Sequence, residues 1–147
     1  MEEVTYEQLG VANALVIGYM MGTYRVIGKG GAQAVANMAG EFVGKELVEY
    51  ARRRGISLDT WEDARRFLIE AGLTGKLESR PTDDGLVVEI GDCRICPKRV
   101  GHYDFPGTVC PWGGLLVGLL GDVLGKRFTS TPRLTAGEVC AIHLVQK

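Results

Sequence analysis

The sequence has no surplus of positive charge: 17 Lys and Arg stand against 18 Asp and Glu, for a formal net charge of −1. An electrostatic footprint for nucleic acid is not supported. It also lacks an apolar run long enough for a bilayer. Val11–Met21 falls short of the roughly 20 residues that a spanning helix needs, and Arg25 follows soon after. Met1-Glu2-Glu3 is acidic where a secretory leader is basic. The expectation from these absences is a cytoplasmic protein with no membrane span and no nucleic-acid partner. No repeat, low-complexity segment or dinucleotide fingerprint emerges. Gly28-Lys-Gly-Gly31 is Gly-rich but follows no strand, and reads as a break between two helices. No acid/base pair stands out either: Glu89 and Asp92 are explained equally well as residues of a solvated strand edge.

Glycine, by contrast, is abundant, at 21 of 147 residues, about twice its usual ~7% share. The length fits one domain, 1–147, with a core of its own. The first half reads helical. Residues 11–27 are mostly apolar, and over 31–54 Val35, Ala39, Phe42, Val43, Leu47 and Tyr50 recur at helical spacing. Gln33, Asn37, Glu41, Lys45 and Glu49 form the opposing stripe. Arg52–Arg54 suit the helix C-terminus, which Gly55 can end. Asp59 and Thr60 can cap a further helix whose apolar face is Trp61, Ala64, Leu68 and Ala71.

The second half changes character. Gly75–Arg80 and Leu86–Ile90 read as strands around the turn signal Pro81–Gly85. Pro111–Leu124 reads as a buried helix, and Lys126–Thr131 and Glu138–Gln146 as two closing strands. The predicted fold class is α+β: N-terminal helices packed on an antiparallel sheet with one inserted Gly-rich helix. Gly114, Gly118, Gly121 and Gly125 stripe that helix, and Gly18/Gly22 and Gly40/Gly44 repeat the four-residue spacing. Each interior Gly costs about 1 kcal/mol against Ala. Such stripes imply close approach of a neighbour: tight packing within the chain, a second copy, or a lipid-like ligand.

Four cysteines carry the chemistry. Cys93 and Cys96 form a Cys-x-x-Cys pair, Cys110 precedes the Gly-rich helix, and Cys140 lies in the last apolar segment. Two thiolates three positions apart can bite one ion from a turn, and Zn²⁺ takes four such ligands tetrahedrally. A reducing compartment disfavours disulfides. Redox or inert thiols are the competing readings, but Pro97 after the pair argues for a knuckle rather than a helix N-terminus. The dipole of the following helix would favour a Cys110 thiolate. Strand alternation sets Cys140, Ile142 and Leu144 on one face and His143 on the other. The preferred ligand set is Cys93, Cys96, Cys110 and Cys140, closing a structural zinc site that stabilises the C-terminal half; His102 is the rival for Cys140. Arg94, Lys98 and Arg99 can offset the negative charge.

The stretch Cys110-Pro-Trp-Gly-Gly-Leu-Leu-Val-Gly-Leu-Leu-Gly-Asp-Val-Leu-Gly, followed by Gly137-Glu-Val-Cys140-Ala-Ile-His-Leu, resembles the four-vinyl-reductase domain family, described as hydrocarbon-binding. That family shows a Cys before a Gly-rich apolar helix and a closing pattern Glu-x-x-Cys-x-x-x-Gly-Asp-x-x-Cys. Related sensor domains hold zinc with these residues. Cys110 and Cys140 match; Thr129 and Pro132 stand where the family has Glu and Cys, and Cys93 and Cys96 are the natural replacements. The resemblance implies a pocket for a hydrophobic small molecule between helices and sheet, with Phe42, Leu47, Trp61 and Phe67 as candidate walls. It also implies a homodimer, for which Val11–Met21 is the candidate contact. The expected function is a non-catalytic ligand-binding or sensor module. The alternatives are an accessory enzyme of tetrapyrrole or cofactor metabolism, and an assembly module resembling trafficking-complex subunits.

Overall fold

The two helices expected on either side of Gly28 run together as α1, Tyr6–Arg53, with a kink at Gly28, where φ is 74° and ψ is −178°. That backbone conformation is essentially restricted to glycine. The computed structural model describes residues 6–101, 103–130 and 139–147, with side chains from residue 10 onward. Among them follow α2 (Trp61–Glu70), β1 (Thr74–Thr82), β2 (Gly85–Cys93), α3 (Trp112–Leu124), β3 (Phe128–Ser130) and β4 (Val139–Gln146). The strands form one antiparallel sheet in the order β1-β2-β4-β3. This is the α+β arrangement read from the sequence. Thr131, Pro132–Gly137 and Glu138, part of the expected closing strands and their connection, lie outside the described residues. No helix among the described residues is long and apolar enough to cross a membrane.

The packed face of α1 differs from the one that hydrophobicity indicates. Val35, Phe42, Val43 and Tyr50 are exposed, Phe42 by 69%. Buried instead are Ala32, Ala36, Gly40, Gly44, Val48 and Ala51. The reason is α3. A methyl group on Gly40 or Gly44 would overlap the carbonyl oxygen of Pro111 or Leu115, and one on Gly114 or Gly118 would overlap that of Asn37 or Glu41. The glycines of the two helices interlock reciprocally, backbone against backbone, so the contact selects small residues over apolar ones. Of the readings open for these stripes, tight packing within the chain holds for Gly40/Gly44 with Gly114/Gly118. Gly18 and Gly22 have no atom near where a Cβ would stand.

Thr60 caps α2 in a capping box, its side chain accepting from the Asp63 N–H while the Asp63 carboxylate accepts from the Thr60 N–H. Ala64, Phe67 and Leu68 face the core. Ala71, expected on that face, is the exposed C-cap. β1 and β2 join through Asp83-Asp84, with Thr82 opposite Gly85. Pro81 is accommodated because β1 is an edge strand. Pro111 is the N-cap of α3 rather than its first residue, and Gly125 closes it in a left-handed conformation. Leu77, Val88, Ile90, Ile142 and Leu144 of the sheet meet Leu115, Leu116, Leu119 and Leu120 of α3, with Val48 and Ala51 of α1 and Phe67 and Leu68 of α2, in one core.

Candidate metal centre

Three local features bring the cysteines together. First, β2 changes parity at its end. Val88 and Ile90 point inward, so strict alternation would send residue 92 inward and residue 93 outward. Asp92 takes a left-handed φ of 50°, which Asp tolerates better than most residues. Asp92 is exposed and Cys93 is buried. Second, the antiparallel register sets Cys140 of β4 directly opposite Ile90, close to that end. Third, Gln33 of α1 grips the backbone of Cys110. Its amide nitrogen donates to the Cys110 carbonyl at 2.8 Å, and its oxygen accepts from the Cys110 N–H at 3.0 Å and from the Thr108 hydroxyl at 2.7 Å.

The result is a cavity of about 50 Å³ lined by Cys93, Cys96, Cys110 and Cys140 together, with Met20, Ile90, Lys98 and Trp112 among the other walls. None of the four cysteines is in a disulfide. Cys96 leads into a turn, with the Val100 N–H donating to its carbonyl at 2.9 Å, and not into a helix. Cys140, Ile142 and Leu144 do share a face, the last two buried, while His143 faces the other way and meets Asp84 at 2.9 Å. The rival ligand His102 lies outside the described residues. Arg94 pairs with Asp92 at 3.4 Å, and Lys98 stands over the Phe105 ring at 4.7 Å.

Burial dominates the electrostatics. It pushes the Cys110 thiol up to about 12, against the pull of the Trp112 backbone N–H, and the other three cysteines push the same way. Although Cys110 as a residue is only partly buried, desolvation outweighs the helix-terminus stabilisation expected for its thiolate. Cys93 is shifted upward for the same reason, opposed by the N–H of Ile95 and by the indole of Trp112. Trp112 is 2% exposed, and its indole nitrogen lies 3.3 Å from Cys93 Sγ. N–H groups aimed at sulfur stabilise a thiolate.

Among the described residues, no three Cys, His, Asp or Glu side chains already stand as a group that could hold an ion. The donor types nevertheless suit zinc: four cysteines line one small cavity, and Cys93 and Cys110 have N–H partners. The sequence reading did not assign Asp92, Gln33 or the Trp112 N–H these parts. Only the Asp at a strand end beside Cys-x-x-Cys carried a local signal.

The candidate ligand walls lie apart from the cysteine cavity and from a second, wider groove. Phe67 is 7% exposed in the core, Leu47 and Trp61 pack against that core, and Phe42 is out in solvent. None of the four lines the cysteine cavity or the wider groove of about 810 Å³ that opens where Met38 and Lys45 of α1, Val117 and Asp122 of α3, and Phe128 of β3 meet.

The fold is shared with a solved vinyl-4-reductase family protein from Methanocaldococcus jannaschii: TM-score 0.53, with 100% of this chain and 84% of that chain covered. At 8% identity the likeness is one of fold alone. In sequence, protein MJ1342 of the same organism is 28% identical over 46 residues, which is 31% of this chain and 40% of that protein. Protein MJ0207, also of that organism, is 39% identical over 137 residues, covering 93% of this chain and 89% of that protein. The sequence model of the MJ0207 family matches residues 26–146. By both the family match and the near full-length relative, the chain belongs to the MJ0207 family.

Proposed function

We propose that the protein is a zinc-holding, non-catalytic module that binds a small hydrophobic molecule. The observation that carries the metal part is the convergence of Cys93, Cys96, Cys110 and Cys140 on one cavity of about 50 Å³. Four thiolates complete a tetrahedron and leave no position for a reacting water, which supports a structural role for the ion. Cys93, Cys96 and Cys110 would tie the loop between β2 and α3, and Cys140 would anchor it to β4. Lys98 at the cavity wall helps to balance the negative charge.

The ligand part is supported by the likeness in fold to a vinyl-4-reductase family protein. The groove between α1, α3 and β3, about 810 Å³, has a size in the ordinary range for ligand sites, about 300–1,000 Å³, and its walls mix apolar Met38, Val117 and Phe128 with charged Glu41, Lys45, Asp122 and Arg127. Exposed apolar side chains of α1 support a homodimer: Val11 (61% exposed), Leu15, Val16 and Tyr19 (80%) before the kink, and Phe42 beyond it, are of the kind that association covers.

The test is elemental analysis of the purified protein together with mass spectrometry of its organic extract. About one zinc per chain, and cobalt substitution giving the intense charge-transfer bands of four thiolates, are expected. Metal-free protein with four freely titrating thiols would reject the metal part. A co-purifying apolar molecule supports the ligand part, and steady turnover of such a molecule would favour the enzyme reading instead.

A further inference from the structure

The N-terminal arm of α1, residues 10–27, rests on the cysteine loop through a small set of contacts. Asn13 Nδ2 donates to the carbonyl of Arg94, inside the Cys93–Cys96 turn, at 3.0 Å. Tyr24 packs its ring on Phe105 with centroids 4.8 Å apart, and its hydroxyl donates to the Pro106 carbonyl at 3.2 Å. Met20, Met21 and Tyr24 pack on a minor cluster of Ala32, Phe105 and Val109, separate from the main core. Among the described side chains of α1, Met20 alone lines the cysteine cavity. Just beyond the arm lies Gly28, whose φ of 74° and ψ of −178° interrupt the helix, and nothing stands near where its Cβ would be.

We propose that residues 10–27 are a latch over the cysteine site, closing it through Met20 and swinging at Gly28. The rest of α1 is fixed by its glycine interlock with α3 and does not need to move. Segments with few buried contacts open at far lower cost than a core does. Of the side chains of residues 10–27 only Ile17 is buried, and the partly buried Met20, Met21 and Tyr24 meet this loop and Ala32 and not the main core. Opening removes the Met20 wall and gives solvent, thiol reagents or an exchanging ion access to the four sulfurs. By linkage, whatever orders the loop from Arg94 to Val109 holds the arm down. What the latch guards rests on the zinc reading above; that it guards the sulfurs rests on Met20, Asn13 and Tyr24.

The experiment is alkylation of the protein as purified with iodoacetamide. The rate at each cysteine is followed by mass spectrometry, and zinc is measured on the same sample. Asn13→Ala removes one hydrogen bond, Tyr24→Ala the ring contact as well, and Val26→Ala, at an exposed side chain of the arm, is the control. Asn13→Ala and Tyr24→Ala should each speed modification of Cys96 and Cys110 about tenfold, with Val26→Ala unchanged. Gly28→Ala, which favours a straight helix that carries the arm off the loop, should match them. Rates within about twofold of wild type in both Asn13→Ala and Tyr24→Ala, with an unchanged circular dichroism spectrum, would overturn the latch. Absence of zinc would sink the metal reading alone, because the alkylation rates still report whether the arm shields the thiols.

Discussion

The indole N–H of Trp112 donates to Sγ of Cys93 at 3.3 Å, linking the first residue of α3 to the last residue of β2 across 19 positions of sequence. Both residues are buried, so the bond acts where water cannot compete. It favours the thiolate of Cys93 and opposes the upward push of burial. Trp112→Phe keeps the ring and removes the donor. Zinc affinity, measured by competition with a chelator, should fall about tenfold, within the usual range for losing a partner of a metal ligand. An unchanged affinity would leave the indole a packing residue only.

Gln33 holds both backbone polar groups of Cys110. Gln33→Ala leaves them without their partner in a partly buried place, and the cost should be about 1–3 kcal/mol in urea denaturation. Zinc content should fall with it, because Cys110 loses its fixed position. Cys140→Ser should also lose zinc, whereas His102→Ala should keep it. The reverse pattern for those two variants would assign the fourth ligand to His102.

The interlock of α1 and α3 gives a contrasting pair. Gly44→Ala forces a methyl group against the Leu115 carbonyl, and should destabilise by about 2 kcal/mol or more, since backbone cannot shift as a flexible side chain does. Gly30→Ala, in the same helix with nothing near its Cβ position, should stabilise by up to about 1 kcal/mol. Equal effects in thermal or urea unfolding would mean that the helices are not in backbone contact.

Acid should release α2 through its cap. The Asp63 pKa is lowered, first by its hydrogen bond with the Thr60 side chain and further by backbone N–H groups and Arg66. A carboxyl whose folded pKa lies below its unfolded value adds stability above the unfolded value and loses it as pH falls through the folded one. Stability should therefore decline below about pH 4, and Asp63→Asn should flatten that part of the profile. The same acid slope in Asp63→Asn and wild type would assign the effect to other carboxylates, Asp84 beside Thr82 and His143 foremost.

Association should follow the exposed apolar side chains of α1. Sedimentation at micromolar concentration should show a dimer, and Tyr19→Glu or Phe42→Glu should yield monomer without loss of helix content, since both side chains are solvent-facing within one chain. A monomeric wild-type protein would count against the homodimer.

Much was written locally in the sequence. The helix break at Gly28, the Thr60 cap, the Asp83-Asp84 turn, the alternation of β4 and the ending of α3 at Gly125 follow from backbone preferences and period, which act within a few residues. Cys-x-x-Cys and the face shared by Cys140 and Ile142 were legible for the same reason. What only the tertiary structure decided is which side of α1 is inside. Hydrophobicity points to Val35, Phe42 and Val43, but α3 approaches over Gly40 and Gly44, because bare backbone lets two helices come closer than any apolar side chain allows. That choice left Phe42 in solvent, outside the core that holds Phe67. The tertiary structure alone also turned Cys93 inward through the left-handed Asp92, and set Gln33 on the backbone of Cys110, 77 residues away. Such contacts join positions that no local pattern relates. They form only once the sheet register and the helix interlock have fixed the distance between them.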